Sequence, residues 1–266
     1  MSRESTENPL VVVRVEVREQ GHVAYVTVNN PARRNVLGIA GKKALAQAFN
    51  QLARDKALRA AVLTGAGDKS FIAGADLAEM KDLKPKGAKV EHTWTHRACD
   101  AIRVLPVPVI ARINGYCFGA GMELAASCDL RIGVTTAKFG MPEVRFGIPS
   151  GMEACLLPQL IGWGKTRELV YTGDHIDAAE ARRCNFLEKL VGPAELDSGV
   201  EQWVSSMLAA GPRAMRLQKK LVRDWERMTI AQAVQAGIEA CVEARKTDEP
   251  ERLMAAFLER RRNGKR

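Results

Sequence analysis

Valines alternate with Arg14, Glu16 and Arg18 along Val11–Arg18, and a second apolar-rich run, Val23–Val28, follows Glu19-Gln20-Gly21. Period-two patterning on both sides of a short polar break predicts a hairpin on a half-solvated sheet. Asn29–Asn35 reads as a loop from its Asn and Pro content. Leu45, Ala48, Phe49 and Leu52 recur at helical spacing and predict an amphipathic helix over about 39–54. Ala60-Ala61-Val62-Leu63-Thr64 reads as a buried strand ending at Gly65-Ala66-Gly67. Small residues then precede a helix at Leu77-Ala78-Glu79-Met80, with Asp76 placed to cap it. Lys81–Lys89, rich in Lys, Pro and Gly, reads as a linker before a helix from about Val90 to Leu105.

Pro108-Val109-Ile110-Ala111 reads as a short buried strand, Met122–Ala126 as a helix and Leu130–Val134 as a strand. Lys138–Val144 reads as a turn region and Gly147–Gly151 as a loop. Three short helical segments reach Asn185, and a strand spans Leu187–Val191. Alternating strands and helices from 60 to 191 predict an α/β fold with crossover connections. From Pro193 only helical spacing remains. Val200, Trp203, Val204, Met207 and Leu208 share one face; Ala214, Leu217, Leu221 and Trp225 share another; Ile230, Ala233, Val234, Ile238, Cys241 and Val242 share a third. Faces that wide suit packing against a neighbour as well as the core. The expected organisation is a frayed polar tail over 1–9, a core over 10–192 and a helical region over 193–266.

Composition narrows the class. A chain of 266 residues, 46% of them hydrophobic, is long enough to bury a substantial core. No apolar run is long enough to span a bilayer, and Met1–Pro9 carries Arg3, Glu4 and Glu7 without the apolar stretch of a secretory signal. None of the six cysteines forms a C-x-x-C pair, which fits buried free thiols in a reducing compartment and a cytoplasmic location. The net charge of +9 attracts polyanions, whether nucleic acid or a phosphate-rich small ligand.

Candidate chemistry centres on Asn114–Leu124. Gly119, Ala120 and Gly121 fall at a strand-to-helix junction, where small residues let a ligand approach the backbone. Free N–H groups in the first turn of a helix stabilise charge that develops in front of them. Glu123 lies one turn inside that helix and Glu143 on a later turn. Either alone reads equally as a solvated carboxylate, and the glycine turn alone as an ordinary tight turn. Gly65-x-Gly67 lacks the third glycine of a dinucleotide fingerprint, with Ser70 in its place, and Asp68 breaks the Gly-Lys pair of a phosphate loop. His92 and His96 are four apart, a metal-compatible spacing with no third ligand to complete a site. His22 and His175 read as isolated surface or loop residues.

Taken together, Ala73-Gly74-Ala75-Asp76, Asn114-Gly115-Tyr116 with Gly119–Ala125, and Phe139-Gly140-Met141-Pro142-Glu143-Val144 resemble the crotonase superfamily, the enoyl-CoA hydratase/isomerase family. The resemblance runs from about Val11 to Arg262. It implies a superhelix of strand-strand-helix turns with a helical C-terminal region that drives trimers or pairs of trimers. It implies an acyl-CoA thioester substrate, no metal or redox cofactor, and thioester oxygen binding by the N–H groups of Ala75 and Ala120. It also implies Glu123 and Glu143 as the acid/base pair of a hydratase, with Glu123 activating water and Glu143 handling the α-proton. Contacts to CoA would come from Arg33, Arg34, Ala73, Ala75, Asp76, Leu77, Ala78 and Gly119, with Arg260 reaching a neighbouring subunit's CoA.

Two departures stand out. Gly147–Ala154 is one residue shorter than the family's glycine-rich run and lacks its glycines near Ala154, and Ala78 stands where many relatives have a lysine. Met80 and Trp94 are candidates for the acyl pocket, although the core is their more ordinary place. The competing readings are an isomerase or dehydratase on a related thioester and an RNA-binding protein on the same fold. With 5% aromatic residues and dispersed positive charge, the chain offers little for base stacking.

Overall fold

The computed structural model describes residues 9–263; the rest of the expected tail, 1–8, lies outside the described residues. Strands β1 (Val11–Arg18) and β2 (Gly21–Val28) form the expected antiparallel hairpin, with Val11 opposite Val28. Helix α1 (Ile39–Leu52) buries Leu45, Phe49 and Leu52 and returns the chain to β3 (Leu58–Gly65), which is parallel to β2. Helix α3 (Pro85–Val104) leads to β5 (Val109–Ile113), and β7 (Leu130–Val134) and β10 (Lys189–Val191) follow. These strands make a six-stranded sheet in the order β1-β2-β3-β5-β7-β10, parallel beyond the first hairpin. Seven of the eight residues of β3 are buried, as expected for a central parallel strand covered on both faces.

A second sheet was not visible in the pattern. It pairs β4 (Ser70–Ile72), β6 (Tyr116–Phe118), β8 (Lys138–Gly140) and β9 (His175–Asp177). The first three run parallel, and β9 closes the sheet antiparallel to β8. Lys138–Gly140 is therefore a strand rather than part of a turn, and His175 lies on a strand rather than in a loop. The expected linker is also shorter: α3 begins at Pro85, not Val90, because Pro in the first helical turn lacks only an N–H that has no partner there anyway. Helix α2 (Leu77–Met80) is capped by Asp76, which accepts from Ala78 N (3.1 Å) and Glu79 N (3.4 Å).

Asn35 fastens the two sheets. It is fully buried with φ 58°, donates to the carbonyls of Ala66 and Ser70 (3.0 and 2.9 Å) and accepts from Asn30 N (3.0 Å). Ser70 is buried, so its carbonyl needs a partner within the protein.

After α5 (Leu157–Thr172) and α6 (Ala178–Arg183), the chain ends in α7 (Leu196–Ala209), α8 (Pro212–Trp225), α9 (Ile230–Ala244) and α10 (Glu249–Asn263). The buried Arg59 guanidinium donates to the carbonyls of Met207, Leu208 and Ala210, tying the C-terminal end of α7 to β3. Ile230, Val234, Ile238 and Val242 form a continuous exposed face on α9. All six cysteines are free. Cys99, Cys117 and Cys128 are buried, but Cys155 and Cys241 are exposed, so apolar patterning overstated their burial. Among the described residues no helix is long and apolar enough to cross a membrane.

Candidate active site

Three parallel three-residue strands aim the three candidate segments at one place. β4 runs into Ala73-Gly74-Ala75-Asp76, β6 into Gly119 and helix α4 (Ala120–Ser127), and β8 into Pro142-Glu143. All three segments line one cavity of about 570 Å³. Every residue of α4 is buried. Its close seat depends on Gly121, where a Cβ would lie 2.0 Å from the Ile72 carbonyl.

Ala75 bridges to Leu37: Leu37 N donates to Gly74 O (3.0 Å) and Asp76 N to Leu37 O (3.1 Å). The bridge fixes the backbone on both sides of Ala75. Ala120 is the first residue of α4, so its N–H has no acceptor within the helix. Both alanines line the cavity; Ala120 does so from the first turn of α4, and Ala75 from the residue before the cap of α2.

Glu123 is 2% exposed, and its Oε1 accepts from Ala154 N at 3.2 Å. Burial, reinforced by the nearby Glu143, raises its carboxyl to about 8. Glu143 is half-buried and accepts from Ser150 Oγ at 2.8 Å. Burial also raises it, and its own backbone and Ser150 hold it down. Gly119, at φ 51°, leaves room for Glu143: a Cβ there would lie 2.5 Å from Glu143 Oε1. Met152, at φ 41°, lines the cavity from the Gly147–Ala154 run and is a strained position for a side chain.

At the mouth, Arg33 grips Asp76 with two parallel hydrogen bonds of 2.6 and 2.7 Å. The Arg33 guanidinium holds the Asp76 carboxyl below the usual carboxylate range. Arg33 thus has its charge matched. The Arg34 guanidinium lies 5.0 Å from the centre of the Tyr116 ring, and among the described residues it pairs with no carboxylate. Ala73, Leu77, Ala78 and Met80 join the wall. Arg260 lies on the last turn of α10 and is not among the residues lining the cavity of this chain. Trp94 packs against the core with Lys43 and Arg97 over its ring, away from the cavity.

Several residues that no sequence motif placed at the site also line this cavity. His175 stacks on Phe118 with ring centres 4.3 Å apart, and burial followed by the Arg145 charge lowers its ring below the ordinary histidine range. Lys42 and Glu91 form a buried ion pair, with His92 and Thr95 beside Glu91 on α3. His92 and His96 do not converge on a metal. His92 Nδ1 lies 2.8 Å from Glu91 Oε2, and His96 Nδ1 pairs with Glu153 Oε1 at 2.7 Å. Among the described residues no group of three or more His, Cys, Asp or Glu could hold a metal ion.

A family model described as enoyl-CoA hydratase/isomerase matches residues 18–264. The short-chain-enoyl-CoA hydratase of Clostridium acetobutylicum is 34% identical over 249 residues, 93% of this chain and 95% of that protein. The crotonyl-CoA hydratase of Syntrophomonas wolfei is 34% identical over 247 residues, 92% of this chain and 95% of that protein. The crystal structure of enoyl-CoA hydratase from Bacillus anthracis superposes with a TM-score of 0.90 at 30% identity, covering 95% of this chain and 97% of that one.

Proposed function

Because the chain belongs to the enoyl-CoA hydratase/isomerase family, we propose that it adds water across the double bond of a trans-2-enoyl-CoA to give the 3-hydroxyacyl-CoA. The observation that carries this reading is a pair of carboxyls, one buried and one half-buried, facing the same cavity as Ala75 and Ala120. The thioester oxygen accepts from the N–H groups of those two alanines. Its charge grows as the enolate forms, so the amides bind the transition state more tightly than the substrate. Water attacks the β-carbon as Glu123 takes its proton, and Glu143 delivers a proton to the α-carbon. The pair shares one proton and titrates as a unit. Burial favours Glu123 as its resting place in the free enzyme, so the proton shifts to Glu143 as substrate and water enter.

Arg34, Ala73, Leu77, Ala78 and Gly119 border the CoA moiety in this reading, with the Arg33–Asp76 clasp as the rim of the entrance. Coenzyme A arrives as part of the substrate, and no metal or redox group takes part. The exposed apolar face of α9 supports assembly into a trimer or a pair of trimers, in which Arg260 would reach the CoA of an adjoining subunit.

The direct test follows loss of the conjugated enone absorbance of short and medium trans-2-enoyl-CoAs. Turnover is expected. Silence on every chain length, with conversion of 3-enoyl-CoA to the conjugated isomer, would replace hydration by double-bond migration. Gly119→Ala is expected to lower kcat about tenfold to a hundredfold while the circular-dichroism spectrum stays unchanged. A Cβ at that φ is strained and pushes on Glu143, and misplacing a reacting group by an ångström has an effect of this order.

A further inference from the structure

The Lys42–Glu91 pair is out of keeping with a pocket for a hydrocarbon chain. Lys42 is 1% exposed and Glu91 2% exposed. They reach toward each other from α1 and α3, and both line the cavity that holds Glu123 and Glu143. Lys42 Nζ donates to Glu91 Oε1. Glu91 Oε2 is buried and makes no hydrogen bond, and the same holds for Nδ1 of His92. Those two atoms are 2.8 Å apart without the alignment a hydrogen bond needs.

A buried ion pair is seldom more stabilising than an apolar pair of the same volume, and a dehydrated acceptor whose nearest donor is misaligned costs more again. A methylene chain pressed against Glu91 Oε2 would add to that cost. A hydroxyl offsets it, because it donates to Glu91 Oε2 and accepts from Lys42 or His92. A terminal carboxylate on the chain would oppose Glu91, and an ammonium would oppose Lys42.

We infer that the acyl pocket selects 2-enoyl-CoA substrates whose chain carries a neutral hydroxyl group, with Glu91 as its acceptor and Lys42 holding Glu91 in place. The inference rests on the acyl-CoA reading and names the substrate class within it.

The test compares kcat/KM for hex-2-enoyl-CoA with that of its 4-, 5- and 6-hydroxy derivatives. One hydroxy isomer is expected to be preferred by about tenfold or more, the scale of one hydrogen bond to a charged acceptor. The ratio is expected to fall to one or below in the Lys42→Met/Glu91→Leu double variant, and several-fold in Glu91→Gln should the double variant fail to fold. A wild-type enzyme that favours the unsubstituted chain, or a preference that survives in these variants, overturns the inference. Should no enoyl-CoA be hydrated, the proposed reaction falls by itself. Competition binding of hexanoyl-CoA against its hydroxy isomers then reads the pocket directly: about tenfold tighter binding of one hydroxy isomer upholds the inference, and equal binding overturns it.

Discussion

Glu123→Gln and Glu143→Gln are each expected to lower kcat for enoyl-CoA hydration by about 10²- to 10⁴-fold, with little change in KM. The substitution keeps the shape of each side chain and one acceptor oxygen. The introduced amide oxygen would still accept from Ala154 N in the first variant and from Ser150 Oγ in the second, the bonds that seat the two carboxyls now. What disappears is the ability to take up or release a proton. Hydration needs one group to remove a proton from water and another to supply one to carbon, so losing either stops the same step. The double variant should therefore be little worse than the poorer single one, since groups that act as a unit are far from additive. Steady-state rates on one short enoyl-CoA, with unfolding curves to verify the fold, read this directly. A variant that keeps more than about a tenth of wild-type activity would remove its residue from the reaction. Collapse in one variant alone would fit an isomerase, which needs a single carboxyl to carry a proton between two carbons.

Glu123→Gln is also expected to stabilise the protein above neutral pH. Burial holds the Glu123 carboxyl at about 8, against an ordinary glutamate value of 4.5. Between those values the folded chain keeps a proton that the unfolded chain has lost. Stability that is fully present below pH 4.5 therefore drains away as pH rises toward 8, at about 1.4 kcal/mol per pH unit. The sum is roughly 3 to 5 kcal/mol, and Glu143 is shifted in the same direction. Acidic groups held low by partners, such as Asp76 and Glu180, titrate below this window and act alike in both proteins. Urea unfolding at pH 5 and pH 8.5, at one protein concentration, should give nearly equal stabilities at the lower pH. At the higher pH the variant should lead by several kcal/mol. Parallel curves across the range would mean that Glu123 is already ionised at neutral pH and that burial is not controlling it.

The segments that meet at the cavity were legible in the sequence because their demands are local. Small residues at a strand-to-helix junction, a glutamate one turn on and a second after Pro142 can be recognised without knowing what lies opposite. The long amphipathic helices and the hairpin were legible for the same reason. The second sheet was not. Each of its strands has three residues, too few for alternation to register, and each exists only because its backbone finds another far along the chain. Lys42 and Glu91 were invisible on different grounds. A lone lysine on the buried face of α1 reads as a break in the apolar stripe. Nothing near it signals a partner 49 positions later. His175 had no motif to belong to, and its place beside Phe118 comes from β9 folding back on β8.

The two glutamates are anchored very differently, and this divides the site in time. Glu123 sits on α4, buried along its whole length against β4. The backbone amides of that helix can reach solvent only when the core itself opens, on the slow scale of global unfolding. Glu143 opens a 3-10 turn whose other residues, Val144–Phe146, are all exposed, as is Gly147 after it, and local opening there is easy. One wall of the site is therefore a fixed reference and the other a yielding one. In the proposed reaction, substrates of different girth would be accommodated on the 143–152 side, while the thioester oxygen would return each time to the same rigid edge.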